Sequence, residues 1–222
     1  MAKVLLHTGE VFEKVFFNEP VDLHIVQEAG SRVKIHVISI PSLLHSFTPS
    51  LLHSFTPSLV HSLTIEQEGE GCETEIYALA YLHGDEQVTT ETHVRHAVGG
   101  GRSNQLIKFV LDDHARGRFI GDLKIAQDAQ QTEAHQTNRN LLLSETAEMR
   151  TQPQLEIYAD DVKATHGAST GQLDESALFY MQQRGIDKQK ARQLLVNAFM
   201  REVIETIDDR QKSKDLLQSL FL

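Results

Sequence analysis

The sequence is short of cysteine and has no long apolar segment, and both shortages restrict what the chain can be. Its single cysteine, Cys72, cannot form an intramolecular disulfide and cannot by itself supply a cysteine-rich metal site. No stretch approaches the roughly 18 consecutive apolar residues of a membrane-spanning helix, and the N-terminal residues lack the apolar run of a signal peptide. These absences predict a cytoplasmic protein without a membrane span.

Basic residues are also scarce. The chain contains 21 lysine and arginine residues against 31 aspartate and glutamate residues, which gives a net charge of −10 at pH 7. Most of the excess lies in residues 1–100, which contain 13 acidic and 5 basic side chains. Because binding to a phosphate backbone or an anionic lipid surface needs a basic surface, we expect neither nucleic acid nor a membrane as a partner.

Up to about Leu143, most segments alternate apolar and polar residues with the two-residue period of a half-buried strand. In one of them, Val33, Ile35 and Val37 alternate with polar side chains. Short turns rich in glycine separate these segments too often to leave room for crossover helices. The pattern predicts a mainly β domain over residues 1–172, and alternation alone does not distinguish a β-sandwich from a β-helix.

After Leu173 the apolar residues recur at helical spacing, which predicts a helical domain over residues 173–222. Asp174 is placed to cap the N-terminus of a first helix, and Gly185 stands where a glycine ends one. Asp187 is placed to cap a second helix with one wide apolar stripe. The apolar pattern of residues 214–222 predicts a short third amphipathic helix.

Residues 41–64 consist of three tandem copies of an eight-residue unit, Pro-Ser-Leu-Leu-His-Ser-Phe-Thr and a close variant. We interpret them as a local duplication that lengthens one loop or adds a small strand layer, because closure entropy rises only slowly with loop length. The alternative is that His45, His53 and His61 line up as a metal-binding ladder. Prolines between these histidines interrupt any single strand that would carry such a ladder, so we do not favour it.

Other candidate chemical groups are few. His93 and His96 are three residues apart, which on a strand places their rings on opposite faces and disfavours a shared metal site. Cys72 lies among glutamates, a setting that disfavours a reactive thiolate. Residues 158–169 combine paired aspartates with a lysine and His166, and they suit either metal binding and proton transfer or a polar connection. No complete catalytic motif is present, which predicts that the chain is not an enzyme.

The same polar cluster resembles a known family. Residues 160–168 read Asp-Asp-Val-Lys-Ala-Thr-His-Gly-Ala, and further matching stretches occur in order on both sides of them. These stretches are 119–125, 129–136, 140–144, 153–158, 171–174, 178–180 and 184–186. Together they resemble the SufB/SufD family of iron–sulfur cluster assembly proteins, and the His-Gly-Ala form is closer to its SufD branch than to its SufB branch. The resemblance is continuous from about Ser103 to Phe199.

The resemblance implies a right-handed parallel β-helix followed by a small C-terminal α-helical domain. It implies a non-catalytic scaffold subunit of the SUF machinery, which pairs with a SufB-like paralogue, or with itself as a homodimer, and docks a SufC-like ATPase through its C-terminal helices. No cofactor would be held stably, and an iron–sulfur cluster would form transiently at the interface with the partner. Family members commonly carry an N-terminal helical region, which we expect this chain to lack.

The resemblance also implies roles for individual residues. His166 corresponds to the family histidine at the partner interface and is the one expected metal ligand. The position two residues earlier, usually cysteine in the family, is Ala164 here, so this chain would supply no thiolate at that place. The expected SufC-docking region comprises Phe179, Tyr180, Arg184, Gly185, Ile186 and Phe199.

A rival prediction rests on composition rather than on resemblance. The mainly β sequence contains 12 histidines, which are common metal ligands. This abundance predicts, as the alternative, a metal-dependent β-barrel enzyme of the cupin type that uses histidine ligands.

Overall fold

Consecutive strands of the chain alternate between two sheets. The computed structural model describes residues 1–41 and 58–221, which form twelve strands followed by three helices. Sheet A contains β1 (Ala2–Leu6), β3 (Val21–Gln27), β5 (Ser58–Gln67), β7 (Gln87–His96), β9 (Arg116–Ile125) and β11 (Glu148–Ile157). Sheet B contains β2 (Val11–Phe17), β4 (Arg32–Ser39), β6 (Glu73–Leu82), β8 (Arg102–Leu111), β10 (Thr132–Leu142) and β12 (Val162–Gly171). One strand from each sheet makes one coil.

Every pair of neighbouring strands within a sheet is parallel, and successive coils stack in chain order. Two facing parallel sheets that the chain visits alternately define a parallel β-helix. The predicted β-helix followed by a helical C-terminal part is confirmed. The rival prediction of a cupin-type barrel is wrong, because the sheets are parallel and open rather than closed into a barrel.

The interior of the β-helix is built from columns of paired residues. Residues paired in a parallel sheet point to the same face, so the two-residue alternation of each strand becomes a stack of like side chains. In sheet B, Ile35 lies beside Ile76, and in sheet A, Leu23 lies beside Leu63. All four side chains are buried, and each contributes about 1.5–3 kcal/mol by leaving water.

The turns between coils are stacked as well. Gly71 and Gly100 have φ angles of 66° and 72°, in the left-handed region that favours glycine. The amide of Gly71 donates to the carbonyl of Gly99 in the next coil, at 3.5 Å, and that of Gly100 donates to the carbonyl of Gln130, at 2.8 Å. These turns hold the coils in register.

Charges of alternating sign cross the outer face of sheet B where its strands begin. The register places five side chains in one row, in the order Arg32, Glu73, Arg102, Glu133 and Lys163. Glu133 lies 3.6 Å from Arg102 and 3.1 Å from Lys163, and the hydrogen bond from Lys163 lowers the pKa of Glu133. We call this row the charge ladder. Each exposed pair is weak because water and salt screen it, but together the pairs favour one register.

The C-terminal helices begin at the predicted caps. They are α1 (Glu175–Gln183), α2 (Lys188–Ile204) and α3 (Arg210–Phe221). The Asp174 carboxylate accepts from the amide of Ser176 at 2.8 Å, and the Asp187 carboxylate accepts from the amide of Lys190 at 2.9 Å. Gly185, with φ of 83°, follows the end of α1. The third helix begins earlier than predicted, and its predicted last residue, Leu222, lies outside the described residues.

Helix α2 packs on the outer face of sheet B through a second apolar cluster, in which Met200 and Val203 meet Leu79. Within this contact the Lys108 side chain is only 2% exposed, and its ammonium bonds to the Glu202 carboxylate and to a backbone carbonyl of α2. Burial lowers the pKa of Lys108, whereas the hydrogen bond from Lys108 lowers the pKa of Glu202. The ion pair therefore fixes the helix to the sheet.

The eight-residue repeat is only partly within the described residues. From Ser58 onward the third copy forms the start of β5 and pairs with β3 and β7. Its histidine, His61, points into the interior and bonds to the hydroxyl of Ser39 at 2.8 Å. The other two histidines of the postulated metal ladder, His45 and His53, lie outside the described residues.

Loss of the helix-to-sheet ion pair should destabilise the protein. We expect Glu202→Ala to lower the free energy of unfolding by about 1–3 kcal/mol, because the buried Lys108 ammonium then lacks its carboxylate. Urea unfolding followed by circular dichroism measures the effect. Glu205→Ala is the matched control, since it removes an exposed pair with Arg201 on the same helix and should cost below about 0.5 kcal/mol. Equal losses in the two variants would contradict the assignment.

Candidate functional site: the last coil and the exposed face of helix α1

The last coil of the β-helix leaves one edge of each sheet open. Strands β11 and β12 are the terminal strands of sheets A and B, and no strand in the described part of the chain pairs with their outer edges. Most residues of β12 are exposed, including those in columns that are buried in earlier coils. An open strand edge presents unpaired amide and carbonyl groups, which another strand can join.

The backbone geometry shows which residues of β12 face the open edge. Glu133 of β10 donates its amide to Gly101, so the odd-numbered residues of β10 bond to β8 and the even-numbered ones bond to β12. In a parallel ladder each of these even residues bonds to the residues before and after its registered partner. The residues of β12 that bond to β10 are therefore the odd-numbered ones, such as Ser169. The even-numbered ones, such as Ala168, turn their amide and carbonyl groups toward the open edge.

His166 lies near the middle of this edge strand, on the row that faces the interior. It is in register with Gln136, which in turn is in register with Gln105, and both glutamines are buried. The His166 side chain is exposed because no further coil covers it. The structure thus places the one predicted metal ligand at the open end of the β-helix interior.

The interior changes from apolar to polar toward this open end. The column that ends at His166 starts at Lys14 on the opposite edge strand, passes through Ile35 and Ile76, and continues with Gln105 and Gln136. No described residue hydrogen-bonds to the side-chain amide of either glutamine. Sequence analysis missed these glutamines, although the alternation in β8 and β10 already assigns them to inward positions.

The neighbouring positions of β12 carry no strong ligand. Ala164 is in register with Ala134 and partly buried against the core. Among the described residues, no three histidine, cysteine, aspartate or glutamate side chains form a group that could hold a metal ion. Any metal bound at His166 therefore needs ligands from outside these residues.

Other histidines have structural positions. His93 and His96 lie on opposite faces of β7, as their spacing predicted, with His93 facing Asp122 and His96 bonded to Ser103 inside the core. Burial lowers the pKa of His96 and of His61 to about 4, so both are neutral near pH 7. A buried neutral imidazole with a hydroxyl partner is a packed core residue rather than an accessible ligand.

The predicted docking residues divide into two groups. Phe179 and Tyr180 of α1 are 63% and 58% exposed, and the Arg184 guanidinium lies 4.6 Å from the centre of the Tyr180 ring. The exposed Gly185 and the half-buried Ile186 follow directly. We call Phe179, Tyr180 and Arg184 the aromatic face of α1.

Phe199 has a different environment from the aromatic face. Its ring is half-buried, and the Lys108 ammonium lies 4.3 Å from the ring centre. The apolar stripe of α2 that contains Phe199 therefore faces sheet B. None of the helices in the described residues is long and apolar enough to cross a membrane.

Comparison with known proteins assigns the chain to a family. A family model described as "SUF system FeS cluster assembly, SufBD core domain" matches residues 54–199, a stretch that runs from just before β5 into α2. The chain belongs to the SufBD family. This assignment confirms the resemblance seen in the sequence and supports a role in iron–sulfur cluster assembly.

Individual relatives agree with the assignment. The iron–sulfur cluster assembly protein SufD of Escherichia coli is 40% identical over 149 residues, which are 67% of this chain and 35% of that protein. A SufBD family protein of Synechocystis is 40% identical over 145 residues, 65% of this chain and 32% of that protein. A chloroplastic protein of Arabidopsis thaliana, ABCI7, is 44% identical over 113 residues, 50% and 24% of the two chains. The chain spans about a third of the length of the first two relatives.

Proposed function

We propose that this chain is a non-catalytic, cytoplasmic scaffold subunit of the SUF iron–sulfur cluster assembly machinery. It pairs through the open edge of its last coil with a SufB-like paralogue or with a second copy of itself. A SufC-like ATPase docks on its C-terminal helices. The observation that carries this proposal is the placement of His166 on an open strand edge, at the polar end of the β-helix interior, in a chain of the SufBD family.

The open edge of β12 supports the pairing. In the ten-residue strand Val162–Gly171, the even-numbered residues have backbone groups available on the open side, and the side chains are mostly small or polar. Addition of a partner strand would satisfy these groups, as in other complexes formed by strand addition. It would also cover the inward-facing positions of the last coil, which are exposed in the single chain.

The position of His166 supports a transient cluster at that interface. An imidazole can ligate iron, but a cluster usually needs thiolate or further imidazole ligands. Because Ala164 has no donor atom, those ligands would come from the partner. A cluster that depends on two subunits for its ligands is released when they separate or shift, so this chain would hold no cofactor permanently.

The aromatic face of α1 supports docking of the ATPase on the helices. Leu178 is the one buried residue of this helix, whereas the adjacent Phe179 and Tyr180 point to solvent. Exposed aromatic side chains next to an arginine are enriched at protein interfaces. Phe199, which packs on the sheet, would act by holding α2 in place rather than by direct contact.

A proline on the open edge tests the pairing. Ala168→Pro removes an amide that faces outward, so we expect the fold to persist while pairing weakens about tenfold or more. Sedimentation equilibrium of the full chain, alone and mixed with a SufB-like partner, measures pairing. Ser169→Pro is the neighbouring control, because it removes a ladder bond to β10 and should lower stability itself. Pairing of Ala168→Pro that is as tight as that of the natural chain argues against the β12 edge.

Replacement of His166 tests the cluster role. We expect His166→Ala to keep the fold and the pairing, since the side chain is exposed, but to lower cluster formation in the assembled complex several-fold. Absorbance of the complex after supply of ferrous iron and sulfide measures the clusters. His135→Ala, an exposed histidine on the adjacent strand β10, should leave cluster yield unchanged. Equal yields in all three proteins would remove the role assigned to His166.

Substitution on the aromatic face tests docking. We expect Tyr180→Ser in the full chain to weaken binding of a SufC-like ATPase about tenfold, because truncating an interface aromatic commonly costs more than 1 kcal/mol. Tyr158→Ser is a matched control, since Tyr158 is also 58% exposed but lies after β11 rather than on a helix. Surface plasmon resonance gives both affinities. Similar binding by the two variants would place the docking surface elsewhere.

A further inference from the structure

An arginine-rich groove lies on the outer face of sheet A, where four strands begin. Its volume is about 480 Å³. The groove is lined by residues of β5, β7, β9 and β11, namely Ser58, Gln87, Val88, Thr89, Arg116, Gly117, Arg118, Glu148 and Arg150. The helices and the charge ladder are on the outer face of sheet B, so the proposed docking surface does not use this groove.

Three of the lining residues are exposed arginines, in a chain whose net charge is −10. Arg150 is 3.8 Å from Glu148, which is the one carboxylate in the lining. Within the described residues, neither Arg116 nor Arg118 forms an ion pair with any carboxylate. The groove is therefore a local excess of positive charge on an acidic protein.

Two of these arginines lie directly opposite each other. Arg118 of β9 is in register with Arg150 of β11, so their side chains leave neighbouring strands about 4.8 Å apart on the same face. Like charges at opposed positions of a sheet destabilise it. Glu148 compensates part of this repulsion at Arg150, whereas Arg118 has no carboxylate partner among the described residues.

In the strands that the structure describes, two other pairs of basic residues are opposed, and in both pairs each member has a carboxylate partner. Lys108 and Arg139 are in register, and the Glu202 carboxylate bonds to both of them. The second such pair, Arg95 opposite Lys124, is flanked by one carboxylate on each side, with Glu66 3.9 Å from Arg95 and Glu156 3.0 Å from Lys124.

At the third pair, Glu148 reaches only Arg150, and no carboxylate of the described residues contacts both arginines as Glu202 does at the first pair. The groove has the chemistry of a site for a tetrahedral oxyanion. Guanidinium groups bind phosphate oxygens through paired N–H donors, and the hydroxyl of Thr89 and the amide of Gln87 add neutral donors to the lining. We propose that this groove binds a phosphate group, either free or carried by a small molecule, with Arg116, Arg118 and Arg150 as its ligands.

Titration of the full chain with pyrophosphate tests the proposal. Isothermal titration calorimetry at low ionic strength should show one site, and Arg118→Gln should weaken binding about tenfold, the effect of losing one charge-assisted contact. Arg95→Gln removes a basic residue from the same face of the same sheet and should change the affinity less than about twofold. Repeating the titration with inorganic phosphate and with a phosphomonoester such as glycerol 2-phosphate, which have similar charge, distinguishes the two sources. Tighter binding of inorganic phosphate favours a free phosphate, and tighter ester binding favours a phosphorylated small molecule.

A second measurement does not depend on the choice of ligand. Without added anion, Arg118→Gln should raise the thermal unfolding temperature at low salt, because it removes the opposed charges, and the gain should shrink as salt screens them. Absence of binding at millimolar pyrophosphate, or equal weakening by Arg118→Gln and Arg95→Gln, would overturn the proposal. A fall in unfolding temperature for Arg118→Gln without anion would also count against it.

Discussion

The in-register stacking of parallel strands is the constraint on which the rest of this structure depends. Because each residue lies beside its counterpart in the next coil, a side chain is surrounded by residues about 30 positions away rather than by its sequence neighbours. The apolar columns, the charge ladder, the opposed arginines and the polar column under His166 all follow from this single register. A shift by one residue would turn every inward side chain outward.

The end of such a stack differs physically from its middle. Each inner coil has a neighbouring coil on both sides. These neighbours hydrogen-bond to its backbone and bury its apolar side chains. The last coil has the same backbone but only one neighbour among the described strands, so β11 and β12 have hydrogen-bond partners along one edge only. In this protein the incomplete coil carries His166 and lies beside buried glutamines, so the open edge and the proposed metal ligand occur at the same end of the β-helix.

Local signals in the sequence predicted the strands and the helix ends, whereas the parallel β-helix itself was predicted from the family resemblance. Asp174, Gly185 and Asp187 mark helix ends through their own backbone contacts, and alternation marks strands. These signals did not show which residues share a column, since that depends on the length of every turn. Gln136 could not be placed beneath His166 for this reason. Similarly, nothing local in β8 shows that a helix far along the chain covers Lys108.

The charge ladder bears on how a neighbour would recognise this edge. The ladder ends at Lys163 on β12, the edge strand of sheet B, so no negative side chain of the described residues follows this lysine in the row. A strand that joined β12 would continue the alternation only if it brought a carboxylate beside Lys163. A strand shifted along the edge would lose that match. If a strand joins β12 as proposed, the charge ladder would favour one alignment of that strand over shifted alignments, at a small energetic cost for each wrong position.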